Sequence, residues 1–329
     1  MHSMNIRRAF WRARSGALQL ARSAGNRLKP LYCPLQQRAN NGVFAVDIDA
    51  RVGLFAQLTW VIYLLQHCDE RGLEPFIRLT GAIYGTHPGQ DWLPELFDLG
   101  ISEELRASVA RGAIRVSKVS DYRQIGLGER IPNTITVAGA AALVASRMHV
   151  KPAVLAYVDA FVSQHFASQS VIGLHFRGTD KSSEARRVSG ERCVATIERY
   201  RAAHPEMDTL FVSSDEEAFV TWIRRRFSNI EVIAHDDQER SRDGRAIHTK
   251  SGEGDNVQKA REALINALLL SRCQVLIRSA SFLSAWASLF TPDLPIIMLN
   301  RPYDHACWFP DAELINRSMT EYLPDDGVA

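Results

Sequence analysis

Four ionisable side chains follow one apolar run of the chain within a few residues. The run Ser170–Leu174 predicts a buried strand, and behind it come His175, Arg177, Asp180 and Lys181. Ligands of open α/β sheets bind beyond the carboxyl ends of the strands, so these groups are expected at a cleft. The alternative is a charged turn in solvent. The density of ionisable residue types favours a binding or catalytic site.

Two later strands are also predicted to end in polar residues. Thr209–Ser213 leads into Ser214 and Asp215, and Gln274–Ile277 leads into a turn that carries Ser279 and Ser281. With the segment after residue 174, these ends would bring cations, a carboxylate and hydroxyls to one edge of a sheet. Such a set suits a ligand with two phosphate groups.

The first half of the chain contains a simpler strand, helix and strand pattern. Val43–Asp47 predicts a strand, an apolar-periodic helix runs to about Glu70, and Pro75–Leu79 predicts the next strand. A right-handed crossover is expected for this unit. Gly53, at the strand-to-helix turn, would let backbone N–H groups approach a phosphate, although a plain turn glycine is equally compatible with the sequence. Ala113–Val116 is predicted as a further strand.

Length and composition indicate a globular protein of two domains. A chain of 329 residues, 46% hydrophobic and 23% charged, suits two α/β domains of roughly 150 residues each. We predict a basic arm and linker over 1–40, an N-terminal domain over 41–150 and a C-terminal domain over 151–329.

The positive charge of the chain is concentrated at its N-terminus. Residues 1–38 carry eight Lys and Arg and no Asp or Glu, so removing that +8 from the net +2 leaves the remainder at −6. Apolar residues at near-helical spacing predict an amphipathic helix that contacts an anionic membrane surface without spanning it. A disordered basic tail, or translation from Met4, is the alternative. Nucleic-acid binding is disfavoured because no basic stripe with interleaved aromatics follows.

The cysteines, histidines and acids do not form a metal-binding pattern. Five cysteines lie far apart with no C-x-x-C pair, which predicts reduced thiols in a cytoplasmic protein. We therefore predict neither a bound metal nor a cofactor. A Rossmann oxidoreductase is excluded because no G-x-G-x-x-G follows the first strand.

Three segments of the second half resemble the signatures of one family. His175–Lys181 resembles the His-x-Arg-x-Thr-Asp-Lys phrase of the α-1,6-fucosyltransferases and their bacterial nodulation relatives. Ser213–Glu216 resembles the second signature, and Leu270–Ser281 the third. In the first half, only Gly53 and Gln57 resemble the family's glycine-rich turn. The resemblance implies a GT-B-like fold, in which two Rossmann-like domains face a cleft and the C-terminal one holds a nucleotide sugar.

The resemblance also implies a role for each candidate residue. Arg177 becomes the clamp on the donor β-phosphate, for which the planar fork of a guanidinium is suited. Asp180 and Lys181 would anchor the loop, and Glu184 lies one residue short of the spacing of a family glutamate that acts on the acceptor hydroxyl. The residues implied to contact the donor or its pocket are Gly53, His175, Asp215, Asn266, Ser279 and Ser281.

One departure from the family bears on the donor nucleotide. Asn266 stands where the family has an aspartate that accepts hydrogen bonds from guanine, and an amide accepts through only one of its two heavy atoms. GDP-fucose is the favoured donor from the resemblance, and a donor with another base is the alternative.

The sequence and the resemblance together predict an inverting glycosyltransferase without a metal. It would move a sugar from a nucleoside-diphosphate sugar to a hydroxyl of a glycan or envelope saccharide, in the cytoplasm or at the inner face of the membrane. A non-catalytic nucleotide-sugar-binding or envelope-assembly protein is the alternative, because a fold does not by itself establish chemistry.

Overall fold

The structure is a computed structural model, and it describes residues 40–118, 135–166, 170–178, 183–241 and 256–324. The basic arm lies outside the described residues. None of the helices in these ranges is long and apolar enough to cross a membrane.

The first sheet of the fold contains three parallel strands. Strand β1 (Val43–Ile48) lies between β2 (Glu74–Leu79) and the short β4 (Ser117–Lys118). Helix α1 (Leu54–Arg71) connects β1 to β2 and ends at Gly72, whose left-handed φ of 61° lets its N–H bond back to the helix. The predicted strand, helix and strand unit is confirmed. The strand predicted at Ala113–Val116 is wrong, since pairing with β1 begins at Ser117.

Two further short strands and three helices lie between β2 and the second sheet in the chain. Helix α2 (Glu103–Ala110) begins at Ser102, whose Oγ accepts a hydrogen bond from the N–H of Leu105. Strands β3 (Phe97–Asp98) and β5 (His149–Val150) pair antiparallel, and helix α3 (Val137–Arg147) lies between them in the chain. Helix α4 (Pro152–His165) then leads into the second half.

The second sheet has five parallel strands in the order β10-β9-β6-β7-β8. The strands are β6 (Val171–Phe176), β7 (Thr209–Ser214), β8 (Glu231–Ala234), β9 (Val275–Arg278) and β10 (Ile296–Met298). Between them run helices α5 (Gly190–Ala203), α6 (Glu217–Arg226), α7 (Asn256–Ser271) and α8 (Phe282–Phe290). Every residue of β6, β7 and β9 is buried, as expected for parallel strands covered by helices on both faces.

One of the hydrophobic core clusters contains residues of both halves. Helix α8 packs against both α1 and α3, so residues from either sheet belong to the same buried cluster. Buried Trp286 of α8 donates from Nε1 to Thr59 Oγ1 of α1 at 2.9 Å, and its ring lies 5.5 Å from that of Phe55. This contact fixes α1 relative to the second sheet. The division of the chain into domains at residue 150 stays a prediction.

Candidate functional site

Three strands of the second sheet end side by side. Strand β6 lies between β7 and β9, so the segments after residues 176, 214 and 278 meet at one edge. Arg177 is the first residue after β6, and its backbone N–H donates to Ser279 Oγ at 3.1 Å. The N–H of Ser279 in turn donates to the carbonyl oxygen of His175 at 3.0 Å. The predicted meeting of these strand ends is confirmed, and their hydrogen bonds fix the start of the Arg177 segment.

The guanidinium of Arg177 lies beside the carboxylate that follows β7. Its Nε is 3.9 Å from Asp215 Oδ2, and the two side chains keep only 21% and 19% of their surface exposed. At this distance the pair is a loose ion pair without a bidentate hydrogen bond. Asp215 therefore lies beside the Arg177 guanidinium and helps to orient it.

Arg177 faces a cleft between the two halves of the protein. The cleft has a volume of about 400 Å³. Its wall from the first half consists of the residues around the start of α1, namely Arg51–Ala56 and Tyr84. Its wall from the second half includes Arg177, Glu184, Asp215, Gln238, Glu239, Lys259, Glu262, Phe282 and Trp308.

The N-terminus of α1 forms part of the wall opposite Arg177. Gly53 is the residue before the helix, and a Cβ added there would meet no atom within 4 Å. Any residue can adopt its φ of −58°, so the backbone conformation does not require glycine. The absence of a side chain instead leaves more space in the cleft. The helix end carries a partial positive charge, which favours an anion.

Two interactions hold the loop before α1. Gln57, buried inside the helix, donates from Nε2 to the carbonyl oxygen of Val52 at 2.8 Å. Gly81, just after β2, approaches the carbonyl oxygen of Ala50 so closely that an added Cβ would lie 2.5 Å from it. A side chain at position 81 would therefore displace this loop. The sequence did not indicate Gly81, because Ala50, the residue that it approaches, follows the neighbouring strand β1 and is distant in the chain.

Tyr84 lines the cleft on the side of the first half and contacts the start of α1. Its hydroxyl oxygen accepts a hydrogen bond from the N–H of Leu54 at 2.9 Å. Burial raises the pKa of Tyr84, and the positive charge of Arg177 acts against that increase in pKa. Arg177 therefore lies within electrostatic range of the α1 N-terminus, and a diphosphate between them would meet positive charge on both sides.

The remaining predicted residues lie at different depths. Glu184 lines the cleft together with Arg177, whereas Asp180 and Lys181 lie outside the described residues. His175 and Ser279 are buried at 4% and 2% exposure and hold the Arg177 backbone instead of lining the cleft. Their predicted contact with the donor stays a prediction. Ser281 lies at a smaller depression beside the cleft.

Asn266 does not line the cleft either, which differs from its predicted contact with a nucleobase. It is completely buried in α7, where its Nδ2 donates to the carbonyl oxygen of Glu262 at 2.9 Å and contacts His235 Nδ1 at 3.2 Å. Buried His235, whose pKa is lowered mainly by burial, covers this side chain. The side chain of Asn266 therefore lies in the protein interior, where its amide nitrogen contacts other protein atoms.

Glu262, one helical turn before Asn266, is the cleft-lining carboxylate of α7. Its Oε2 accepts from the N–H of Glu239 at 3.1 Å, and its Oε1 accepts from Gln258 Nε2 at 3.3 Å. Burial, the largest cause, raises the pKa of Glu262. Sequence reasoning missed this residue, because Lys259 and Arg261 of the same helix are also charged and nothing in the pattern distinguishes Glu262 from them.

The described ranges contain no group of three or more His, Cys, Asp or Glu residues placed to hold a metal ion. The predicted independence from metals and cofactors stays a prediction.

Two sheets of parallel strands flank one cleft, with Arg177 and the N-terminus of α1 in its walls, and this architecture is that of the GT-B-like fold predicted from the sequence. The family model described as Nodulation protein Z (NodZ) matches residues 141–306, just over half of the chain. The chain belongs to the NodZ family.

Solved structures agree with this fold. A NodZ α-1,6-fucosyltransferase soaked with GDP-fucose is similar at a TM-score of 0.53 and 17% identity, over 77% of this chain and 94% of that chain. A NodZ α-1,6-fucosyltransferase co-crystallized with GDP gives a TM-score of 0.52 and 16% identity over the same shares. At these identities the likeness establishes the fold. None of the curated proteins compared with the chain matches it.

Proposed function

We propose that this protein is a fucosyltransferase that moves fucose from GDP-fucose to a saccharide hydroxyl with inversion. The observation that carries the proposal is the cleft of a NodZ-family chain in which Arg177 and the N-terminus of α1 face each other. GDP-fucose and GDP are the ligands named for the two similar NodZ structures, and a diphosphate fits this pair of positive groups.

Arg177 acts on the leaving group in this proposal. When the bond between the anomeric carbon and the phosphate oxygen breaks, negative charge accumulates on the β-phosphate of GDP. The guanidinium, oriented by Asp215, gains interaction energy as that charge grows, so it stabilises the transition state more than the bound donor. The amides at the start of α1 supply a second, fixed source of positive potential.

Glu184 is the proposed base for the acceptor. It lines the same cleft as Arg177, so an acceptor hydroxyl between them would lie beside a carboxylate. The acceptor oxygen attacks the anomeric carbon opposite the departing phosphate, and its proton passes to Glu184. A single displacement of this kind inverts the configuration at that carbon.

Glu262 is the proposed reader of the guanine base. Guanine presents two neighbouring N–H donors on its pairing edge, and a carboxylate can accept from both. Glu262 lines the cleft, and each of its oxygens keeps a lone pair beyond the hydrogen bonds from Glu239 and Gln258. This assignment moves guanine recognition from the buried Asn266 to a residue one turn earlier.

The proposed acceptor is a glycan or envelope saccharide, and the proposed location is the cytoplasm or the inner face of the membrane. The location rests on the eight cations of the N-terminal arm.

The first test is a thermal-shift comparison of GDP, UDP, ADP and CDP. A ligand present at 100 times its dissociation constant stabilises a protein by about 2.7 kcal/mol, and GDP is expected to give the largest increase in melting temperature. Glu262→Gln should reduce the increase in melting temperature that GDP gives. It should leave the increases with UDP, ADP and CDP unchanged. The second test is release of GDP from GDP-fucose, with and without saccharides, in the presence of EDTA.

The proposal would be wrong if no nucleotide changed the melting temperature and no GDP were released. A shift by GDP without turnover would instead indicate a nucleotide-sugar-binding protein without catalysis.

A further inference from the structure

An exposed aromatic side chain stands beside the cleft. Trp308 is 45% exposed, and it is the most exposed tryptophan among the described residues. Its indole is nearly parallel to the ring of Phe282, with an interplanar angle of 16° and ring centroids 6.3 Å apart. Large aromatic groups that remain in solvent next to a binding cleft commonly contribute to recognition.

The same two rings connect the cleft to a smaller depression. The residues shared by both cavities are Glu184, Phe282 and Trp308. The smaller depression adds Ser281 and Asp311 to its wall. The depression has a volume of about 20 Å³, which suits a single hydroxyl group, so a ligand in the cleft next to Glu184 could place one hydroxyl in it.

A buried hydroxyl group lies in the wall of the depression. Ser281 is 3% exposed, and its Oγ has no hydrogen-bond partner in the part of the chain that the structure describes. Its backbone is held in place, because the carbonyl oxygen of Ser281 accepts from Nη2 of the buried Arg278 at 2.7 Å. Arg278 is itself fixed by Asp311, whose Oδ1 lies 2.6 Å from Nη1. A buried polar atom without a partner is unfavourable, and a ligand hydroxyl would satisfy it.

We propose that Glu184, Ser281, Phe282 and Trp308, the aromatic subsite, bind a pyranose ring of the acceptor saccharide. The inference rests on the proposed function and adds the position of the acceptor. A pyranose has an apolar face of C–H bonds, which suits the exposed indole, and a rim of hydroxyls, which suits a carboxylate and a serine.

The kinetic test compares three variants of surface aromatic residues. Trp308→Ala should raise the acceptor KM roughly tenfold, as expected for truncation of a central aromatic contact, with a much smaller effect on the KM of GDP-fucose. Trp308→Phe should restore most of the acceptor affinity because a flat ring remains. Tyr303→Ala is the matched control, since Tyr303 is 38% exposed on the same loop but does not line either cavity.

A binding test needs neither donor nor turnover. Acrylamide quenching of tryptophan fluorescence is measured with tetrasaccharides of glucose, N-acetylglucosamine, mannose and galactose, and with sorbitol as a polyol that has no ring face. The contribution of Trp308 is the difference between the wild type and Trp308→Phe. At least one tetrasaccharide should protect Trp308 from the quencher, while sorbitol should not.

The outcomes separate this inference from the proposed function. Failure of every saccharide to protect Trp308, or an acceptor KM of Trp308→Ala equal to that of Tyr303→Ala, would overturn the aromatic subsite even if GDP-fucose were turned over. Protection of Trp308 without any release of GDP would leave the subsite standing and reject the transferase. Melting temperatures of all variants establish that each one is folded.

Discussion

Replacement of Arg177 gives the sharpest test of the catalytic proposal. If the guanidinium makes two charge-assisted hydrogen bonds to the β-phosphate, each contributes about 1.5–3 kcal/mol. Arg177→Lys keeps the charge but loses the fork, so one bond is lost and kcat/KM should fall about 10- to 150-fold. Arg177→Ala loses both bonds, so kcat/KM should fall roughly 10²- to 10⁴-fold.

Stability should change little in these variants. The side chain of Arg177 is 21% exposed, and its separation of 3.9 Å from Asp215 marks a weak ion pair. Loss of the ion pair with Asp215 is expected to lower the free energy of unfolding by no more than about 1 kcal/mol. Urea titrations measure this quantity, and initial rates of GDP release from GDP-fucose measure kcat and KM.

Arg187→Ala provides a matched control. Arg187 also lies 3.9 Å from a carboxylate, that of Glu216, but its side chain is 70% exposed and does not line the cleft. Its loss should alter kcat/KM less than twofold, as expected for a surface ion pair. Near-normal turnover in Arg177→Lys, or an equal loss in Arg187→Ala, would refute the role of Arg177 as a phosphate clamp.

Three other predictions follow from the structure. Gly81→Ala should weaken GDP binding in calorimetry while most of the fold persists, because a methyl group would lie 2.5 Å from the Ala50 oxygen; unchanged affinity would show that the loop can move aside. Burial lowers the pKa of His67 to about 4 and raises that of Asp91 to about 6. Unfolded histidine binds protons more readily, so His67 adds stability as pH rises from about 4 to 6.5, whereas Asp91 removes stability between about 4 and 6. Relative to wild type, urea titrations should show unfolding free energy falling with pH in His67→Phe and rising in Asp91→Asn. Deletion of residues 1–30 should preserve activity and reduce sedimentation of the protein with anionic vesicles at low salt. If the full-length protein does not sediment with these vesicles, the arm does not bind membranes.

The meeting of the strand ends at one edge of the sheet was predictable from local patterns. Each of β6, β7 and β9 is an apolar run followed at once by polar residues, which is the signature of a buried parallel strand. Parallel strands place their carboxyl ends at one edge, so the meeting of Arg177, Asp215 and Ser279 required no knowledge of the packing. Depth below the surface was not predictable, because Ser279 and His175 look as available in the sequence as Arg177.

Residues recruited from distant segments were also missed. Trp308 reaches the cleft by stacking on Phe282, and Gly81 shapes it by approaching Ala50. Neither contact leaves a periodic trace in the sequence, since both partners are joined only by tertiary packing. The strand predicted at Ala113–Val116 failed for a related reason, because pairing with β1 selects only Ser117 and Lys118.

Helix α7 shows why the base-reading residue could not be chosen from sequence. Glu262 and Asn266 are four residues apart, so they lie on the same face of the helix and are equivalent in any periodic pattern. The two residues differ in what covers them. His235 Nδ1 lies 3.2 Å from Asn266 Nδ2, and His235 Nε2 lies 2.9 Å from the hydroxyl oxygen of Tyr157, so His235 and Tyr157 cover the turn that carries Asn266. Glu262 accepts hydrogen bonds from the backbone of Glu239 and from Gln258, and it lines the cleft. An amide suits the closed turn, where a carboxylate would face the carbonyl oxygen of Glu262 that now accepts from Asn266. The acidic group that we propose to read guanine is therefore one turn nearer the start of the helix, where it lines the cleft.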